Sequence, residues 1–259
     1  MDWSPGYREF APPAALRPAV YCLWVSVVPA GGAPPRLVLP DACVDLIWQQ
    51  GHGVFVAGPD TGPVPSPRAP GTVFAGVRLR PGAGGPALGM PLSVLLDQRV
   101  DAVDLRALHP AGPAADLARL PGSLAPDMAM RRLIRIAHGM TDAGPPDPLV
   151  TETVRCLSRP GAQVETVAAD LGVSERQLHR RCRAAVGYGP ATLRRVLRFR
   201  RFVSSVDQIG EAADLAWLAA KTGYADQAHL TRESTRLAGL PPAALARVRH
   251  HGLVDNRPE

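Results

Sequence analysis

Lysine is almost missing from this chain of 259 residues: every one of the 29 basic residues except Lys221 is arginine. Base composition of the coding DNA explains that skew, so it carries no functional weight. Aromatic residues are also few, at 5%. The four cysteines (Cys22, Cys43, Cys156 and Cys182) form no CxxC pair and have no nearby histidine partner, which argues against a disulfide framework or a zinc knuckle. Reduced thiols in a cytoplasmic protein are the expectation. No apolar run approaches the roughly 20 residues that span a bilayer, so no membrane partner is expected. The opening MDWSPGYREF lacks the basic-then-apolar order of a secretion signal. Histidines in the first half (His52, His109 and His138) are scattered, so neither a metal site nor any other cofactor is expected. GxxxxGK[ST] is absent, and the Gly-rich run RPGAGGPALGMP (80–91) reads as a loop entering a short helix rather than a phosphate cradle.

Hydrophobic content of 46% against 20% charged residues implies a folded chain, long enough for one large domain or two ordinary ones. The net charge is +6, and its distribution matters more than its sum. Residues 1–146 hold 12 basic and 11 acidic residues, whereas 147–259 hold 17 and 12. Between Glu175 and Phe202 stand nine arginines and one acid. The positive charge is therefore a local patch.

The first half reads as short β-strands at 19–28, 36–39, 43–48, 54–57 and 72–79, punctuated by Pro and Gly. Short helices are expected at 91–96, 113–120 and 126–139. TDAGPPDP (141–148) reads as a linker. Beyond it, helices are expected at 147–157, 164–171, 175–186, 191–206, 211–221, 227–238 and 242–249. The fold class is thus α+β in two domains. Residues 1–140 form a β-rich barrel or sandwich with short helices, cupin-like in one reading. Residues 149–250 form an all-α domain.

The helical half contains a repeat. Ala168, Ala169 and Gly172 match Ala219, Ala220 and Gly223 at an offset of 51. Leu178, Arg180, Gly187 and Pro190 match Leu230, Arg232, Gly239 and Pro242 at an offset of 52. Each unit has helix-turn-helix mechanics: a glycine for the tight turn, then Ser174 or Asp226 to cap the next helix. On the first of these second helices, Leu178, Cys182 and Ala185 share an inward face. Arg176, His179, Arg180 and Arg183 form a stripe at i, i+3, i+4, i+7. A solvated face would mix signs; this stripe has no acid and suits an external polyanion. Residues 191–206 carry Arg194, Arg198 and Arg201 along one side, placed to touch phosphates, which position a protein without reading sequence.

These motifs, LGVSERQLHRR, VGYGP, VLRFRRF, LAAKTGYADQAHLTRE and AGLPP, resemble the DNA-binding domain of AraC/XylS-family transcription regulators. The likeness covers about 147–248. LPDACVDLIW, VAGPDT and GVRLRPGAGGPALGMP look like an uncharacterised family found ahead of this module. The resemblance implies a sequence-specific transcription regulator, an activator by preference, that is not an enzyme. It would read adjacent major-groove segments of double-stranded DNA through two recognition helices joined by a linker helix. It implies that Ser174, Arg176, Gln177, His179, Arg180 and Arg183 present the first reading edge. Gln227, Ala228, His229, Thr231 and Arg232 would present the second. RNA polymerase, a small-molecule effector and a second copy of the chain are the other candidate partners. Family members often carry Phe where this chain has Cys182 and Ser234, which implies weaker packing of these helices unless neighbours such as Phe199 or Trp217 fill the space.

Tyr21, Trp24, Cys43 and Trp48 are the candidates for lining an effector pocket, with core packing as the competing role. Cys43 stands beside Asp41 and Asp45, a poor setting for a nucleophile. The alternative remains a ligand-binding or enzymatic N-terminal module with an accessory helical domain. A general architectural DNA binder would need basic charge in both halves.

Overall fold

The computed structural model describes residues 1–66, 69–108, 110, 113–209, 214–250 and 254–255. Alternation decides the first half. In VDLIWQ, Val44, Leu46 and Trp48 are buried while Asp45, Ile47 and Gln49 face the other way, the period of two of a strand with two different faces. The strands are β1 (Gly6–Phe10), β2 (Val20–Val27), β3 (Arg36–Val38), β4 (Val44–Gln49), β5 (Gly53–Ala57), β6 (Val64–Ser66), β7 (Val73–Leu79) and β8 (Arg99–Asp101). Six form one antiparallel sheet in the order β1-β2-β7-β4-β5-β8. A smaller sheet joins β6, β3 and a two-residue β9 (Val254–Asp255), which pairs with β3 in parallel. Both edge strands of the large sheet end the pairing, so this domain is sandwich-like rather than a closed barrel.

One face of the large sheet is covered by α1 (Gly84–Leu88), α2 (Ala102–Leu108) and the long α3 (Pro126–Ala143), giving a core around Leu46, Trp48, Val77, Leu88 and Leu133. The expected helices at 91–96 and 113–120 are 3-10 segments, Leu92–Val94 and Pro113–Arg119. Residues 84–88, expected as loop, are helical. Residues 141–143, expected as linker, complete α3.

Apart from β9, the described elements of the second half are helices: α4 (Pro148–Leu157), α5 (Val164–Asp170), α6 (Glu175–Val186), α7 (Pro190–Ile209), α8 (Leu215–Thr222), α9 (Gln227–Ala238) and α10 (Pro242–His250). The expected start of α8 at 211 falls outside the described residues. Phe199 and Phe202 of α7 are fully buried between the two repeats. Leu39 and Ala42 of the first half belong to this second core, so the domains share packed apolar surface. α6 lies against α1 and the Leu92–Val94 turn. At Gly85, any side chain would run into the Ala184 carbonyl of α6; at Gly187, into Pro59. Tyr188, next along the chain, is buried.

Candidate nucleic-acid interface and ligand cavity

Each repeat builds its reading helix in the same way. Gly172 (φ +64) and Gly223 (φ +86) take the left-handed backbone that ends α5 and α8. Ser174 then caps α6: its Oγ accepts from the Gln177 N–H at 3.2 Å, while Gln177 Oε1 accepts from the Ser174 N–H at 3.0 Å. Asp226 caps α9 by accepting from the His229 N–H at 2.6 Å. Leu178 and Cys182 point inward with no exposed surface, and burial pushes the Cys182 thiol up to about 12. Phe199 stands buried in the same core, whereas Trp217 is 50% exposed and lies under the Lys221 ammonium. The idea that Trp217 fills the space behind the small residues is thereby corrected. Ser234 is fully buried, and its hydroxyl donates to the Leu240 carbonyl at 2.7 Å.

Of the nine arginines in the patch, six have internal partners. Arg181 pairs with Asp147 at 3.2 Å. Arg195 and Arg198 share Glu233, at 3.1 and 3.0 Å. Arg198 also lies 4.6 Å from the Tyr224 ring centre. Arg194 donates to the Ala162 carbonyl and to Gln163. Arg201 donates to the carbonyls of Thr222, at 2.7 Å, and Ser158. Arg200 stacks on Tyr21. Arg194, Arg198 and Arg201, expected as a phosphate-contacting stripe, instead line a cleft between the repeats and tie α7 to both. The reason is geometric: α7 is wrapped by helices, so its arginines meet acceptors before they meet solvent.

Arg176, Arg180 and Arg183 differ. They are exposed on α6, and no hydrogen bond or ion pair among the described residues engages them. His179 is exposed beside them, its ring over Gly189. Gln177 and Ser174 are also exposed, but the cap occupies part of their bonding capacity. On α9, Gln227, Ala228 and Arg232 are exposed. Thr231 is half-buried and donates to the Gln227 carbonyl at 2.9 Å. His229 turns away from the expected reading edge. It lies edge-on to Tyr224 and 3.3 Å from Arg198, and burial and that guanidinium hold its ring below the usual histidine range.

The N-terminal domain holds a cavity of about 340 Å³ between its two sheets. Trp24 and Cys43 line it as expected; Tyr21 and Trp48 do not. Trp48 faces the opposite core and donates to the Pro121 carbonyl at 3.0 Å. Tyr21 faces the domain boundary. Trp24 lies flat over Gly76, where any side chain would collide with its ring, and donates to Asp45 at 2.6 Å. The cavity also holds charges that sequence reasoning missed. Buried Arg78 meets Asp45 at 3.2 Å, Glu9 at 3.3 Å and Asp41 at 3.7 Å, and Arg99 chelates Asp60 at 2.7–2.8 Å. Burial pushes the Asp45 carboxyl up, against the pull of Arg78. Burial, followed by the Asp41 charge, pushes the Cys43 thiol well above its ordinary value, so this cysteine is unsuited to nucleophilic attack. Arg78 lies on the face of β7 opposite Val77 and Leu79, directly across from Asp45, so alternation reads it as an outward residue and only the second sheet makes it buried. Among the described residues, no group of three or more His, Cys, Asp or Glu is arranged to hold a metal, and no helix is long and apolar enough to cross a membrane.

Two family models match separate stretches of the chain. Residues 167–247 match a family described as a helix-turn-helix domain, and residues 8–101 match a domain of unknown function, DUF6597. No curated protein sequence matches the chain. Among solved structures, similar chains include an apo variant of ToxT from Vibrio cholerae, at 10% identity and TM-score 0.44, covering 87% of this chain and 97% of that one. Another is wild-type ToxT from the same organism with an unsaturated fatty acid bound, at 10% identity and TM-score 0.44, covering 92% and 98%. That likeness is loose, and the fold stands on the elements described above. With two capped helices in tandem and the helix-turn-helix match across them, the C-terminal half holds a helix-turn-helix DNA-binding domain, and the chain is a DNA-binding transcriptional regulator with a β-rich domain ahead of it.

Proposed function

We propose that this regulator reads two adjacent major-groove segments of duplex DNA, with α6 supplying most of the affinity and α9 a weaker second contact. The observation that carries this is the contrast between the helices. α6 presents three unpaired, exposed arginines and a histidine, whereas α9 presents Gln227, Ala228 and one arginine, Arg232. A guanidinium fits guanine O6 and N7 bidentately. Arg194, Arg198 and Arg201 fix the spacing of the two units rather than binding phosphate. The cavity between the sheets takes a small-molecule effector; its size is at the low end of the roughly 300–1,000 Å³ typical of ligand pockets. Activation through RNA polymerase is the direction that the resemblance to the AraC/XylS family favours, with a second copy of the chain as a candidate partner and the cytoplasm as the place of action.

The test is binding of the full chain to duplexes recovered by chromatin mapping in its native host. Arg176→Ala with Arg180→Ala should weaken binding at least about tenfold and lower the salt slope by about two. Arg232→Ala should cost less. A larger loss from Arg232→Ala, or wild-type affinity no better than for random duplex, overturns the reading.

A further inference from the structure

A second recess lies at the domain boundary, on the opposite side of the large sheet's β2 from the effector cavity. Its walls come from both halves: Tyr21 and Arg80 from the first, Arg155, Arg200 and Arg201 from α4 and α7 of the second. It measures about 570 Å³, and none of its described lining residues is acidic. Its uncharged polar lining is hydroxyl-rich, with Thr151, Ser158, Ser204 and Ser205.

The charges here are concentrated in an unusual way. Arg80 and Arg200 both lie on the Tyr21 ring, their guanidinium carbons 5.3 and 4.7 Å from its centre. Each contact is favourable alone, because the ring face is electron-rich. Together they bring two cations from different domains to one phenol. Two carboxylates lie nearby, outside the recess lining. Glu152 pairs with Arg155 on the exposed flank. The charge of Asp41, on the wall of the other cavity, favours the charged form of Arg200. Arg201 adds charge, but two of its nitrogens already serve the Thr222 and Ser158 carbonyls. Arg80 uses only its Nε, on the Arg17 carbonyl at 2.8 Å. Arg200 spends part of its guanidinium on a hydrogen bond with Tyr21. That leaves the terminal nitrogens of Arg80 and the rest of the Arg200 head as the least committed cations of the recess lining.

We propose that this recess binds a phosphate-type dianion, held between Arg80 of the β-rich domain and Arg200 of α7. Guanidinium forks match the geometry of phosphate oxygens. The Ser204 and Ser205 hydroxyls of the lining can donate further bonds, whereas those of Thr151 and Ser158 already donate to the Asp147 and Val154 carbonyls. Bound by a guanidinium from each half, the dianion clamps one domain to the other. A phosphorylated small molecule and the DNA backbone offer the same chemistry.

The experiment titrates inorganic phosphate, then pyrophosphate, into the full chain in chloride buffer at constant ionic strength, read by calorimetry and by thermal unfolding. Wild type and Arg132→Gln, a change on the exposed face of α3, should bind and gain thermal stability. Arg80→Gln and Arg200→Gln should each lose about tenfold in affinity, the worth of one charge-assisted contact. Should Arg200→Gln melt early without ligand, Arg80→Gln decides alone, since Arg80 is exposed. No binding by wild type, or equal binding by Arg80→Gln, overturns the proposal. DNA affinity measured on the same variants separates the sources. Unchanged affinity assigns the site to a free phosphorylated molecule, and a parallel loss assigns it to the DNA backbone. Neither outcome depends on the effector cavity.

Discussion

Glu233 shows how one buried side chain can redirect a charge read as exposed. It is 9% exposed on α9 and takes both Arg195 and Arg198 of α7, the second of which sequence periodicity had placed on an open face. The stripe was legible as spacing; the fate of Arg198 was not, because the acid that receives it lies 35 residues away. Removing the acid leaves two guanidiniums without a carboxylate in a half-buried cleft. Glu233→Ala should therefore cost about 2–3 kcal/mol of unfolding free energy, measured by urea denaturation. A loss below about 0.5 kcal/mol, the range of ordinary surface changes, would mean that solvent already screens the pair. The cavity residues teach a related lesson. Alternation alone separates Asp45 from Trp48, because residues an odd number apart face opposite sides of a strand. Tyr21 sits in the register shift between Val20 and Cys22, where alternation does not decide the side.

Among the elements, α6 and α9 begin and end where their sequences say they should. Both have capping side chains at the start and a left-handed glycine at the end, Gly187 and Gly239. Short-range signals decide such helices, and one sequence displays all of them. The elements that escaped detection obey longer-range causes. α1 contains Gly84 and Gly85, residues that disfavour helix. They are tolerated because Val44 and Leu92 press on the first and the α6 backbone on the second, leaving no room for side chains. β1 and β8 are short edge strands carrying Arg8, Glu9, Arg99 and Asp101, so they lack an apolar signature. For α6, the cap is the separable contribution. Ser174→Ala removes one side of a reciprocal pair and should lower stability by about 1 kcal/mol. Circular dichroism melts would register this, and an unchanged melting temperature would show that solvent replaces the cap at no cost.

At the scale of the whole molecule, the two halves are joined by more than the short connection 144–147. The β-rich domain holds the C-terminal end of α6 between α1 and the Leu92–Val94 turn, and contributes Leu39 and Ala42 to the helical core. Gly85→Ala tests this junction because two effects oppose each other. The substitution gains about 1 kcal/mol of helix propensity in α1, and overpacking against the Ala184 carbonyl costs about 1–3 kcal/mol. Overpacking should win, so the variant should be less stable and the 144–147 connection should be cleaved faster in limited proteolysis. A more stable Gly85→Ala protein would mean that the domains do not dock this way in solution.

The Pro59–Gly187 contact has its own consequence. Gly58 and Asp60 form part of the wall of the cavity between the sheets, and Pro59 between them touches the residue that caps α6. A molecule that favours one setting of that wall therefore also favours one pose of the reading helix. Binding free energies couple symmetrically. By whatever factor such a molecule changes the grip on an operator, the operator must change the grip on the molecule by the same factor. The sensor would then be tuned in part by the stretch of genome on which it sits.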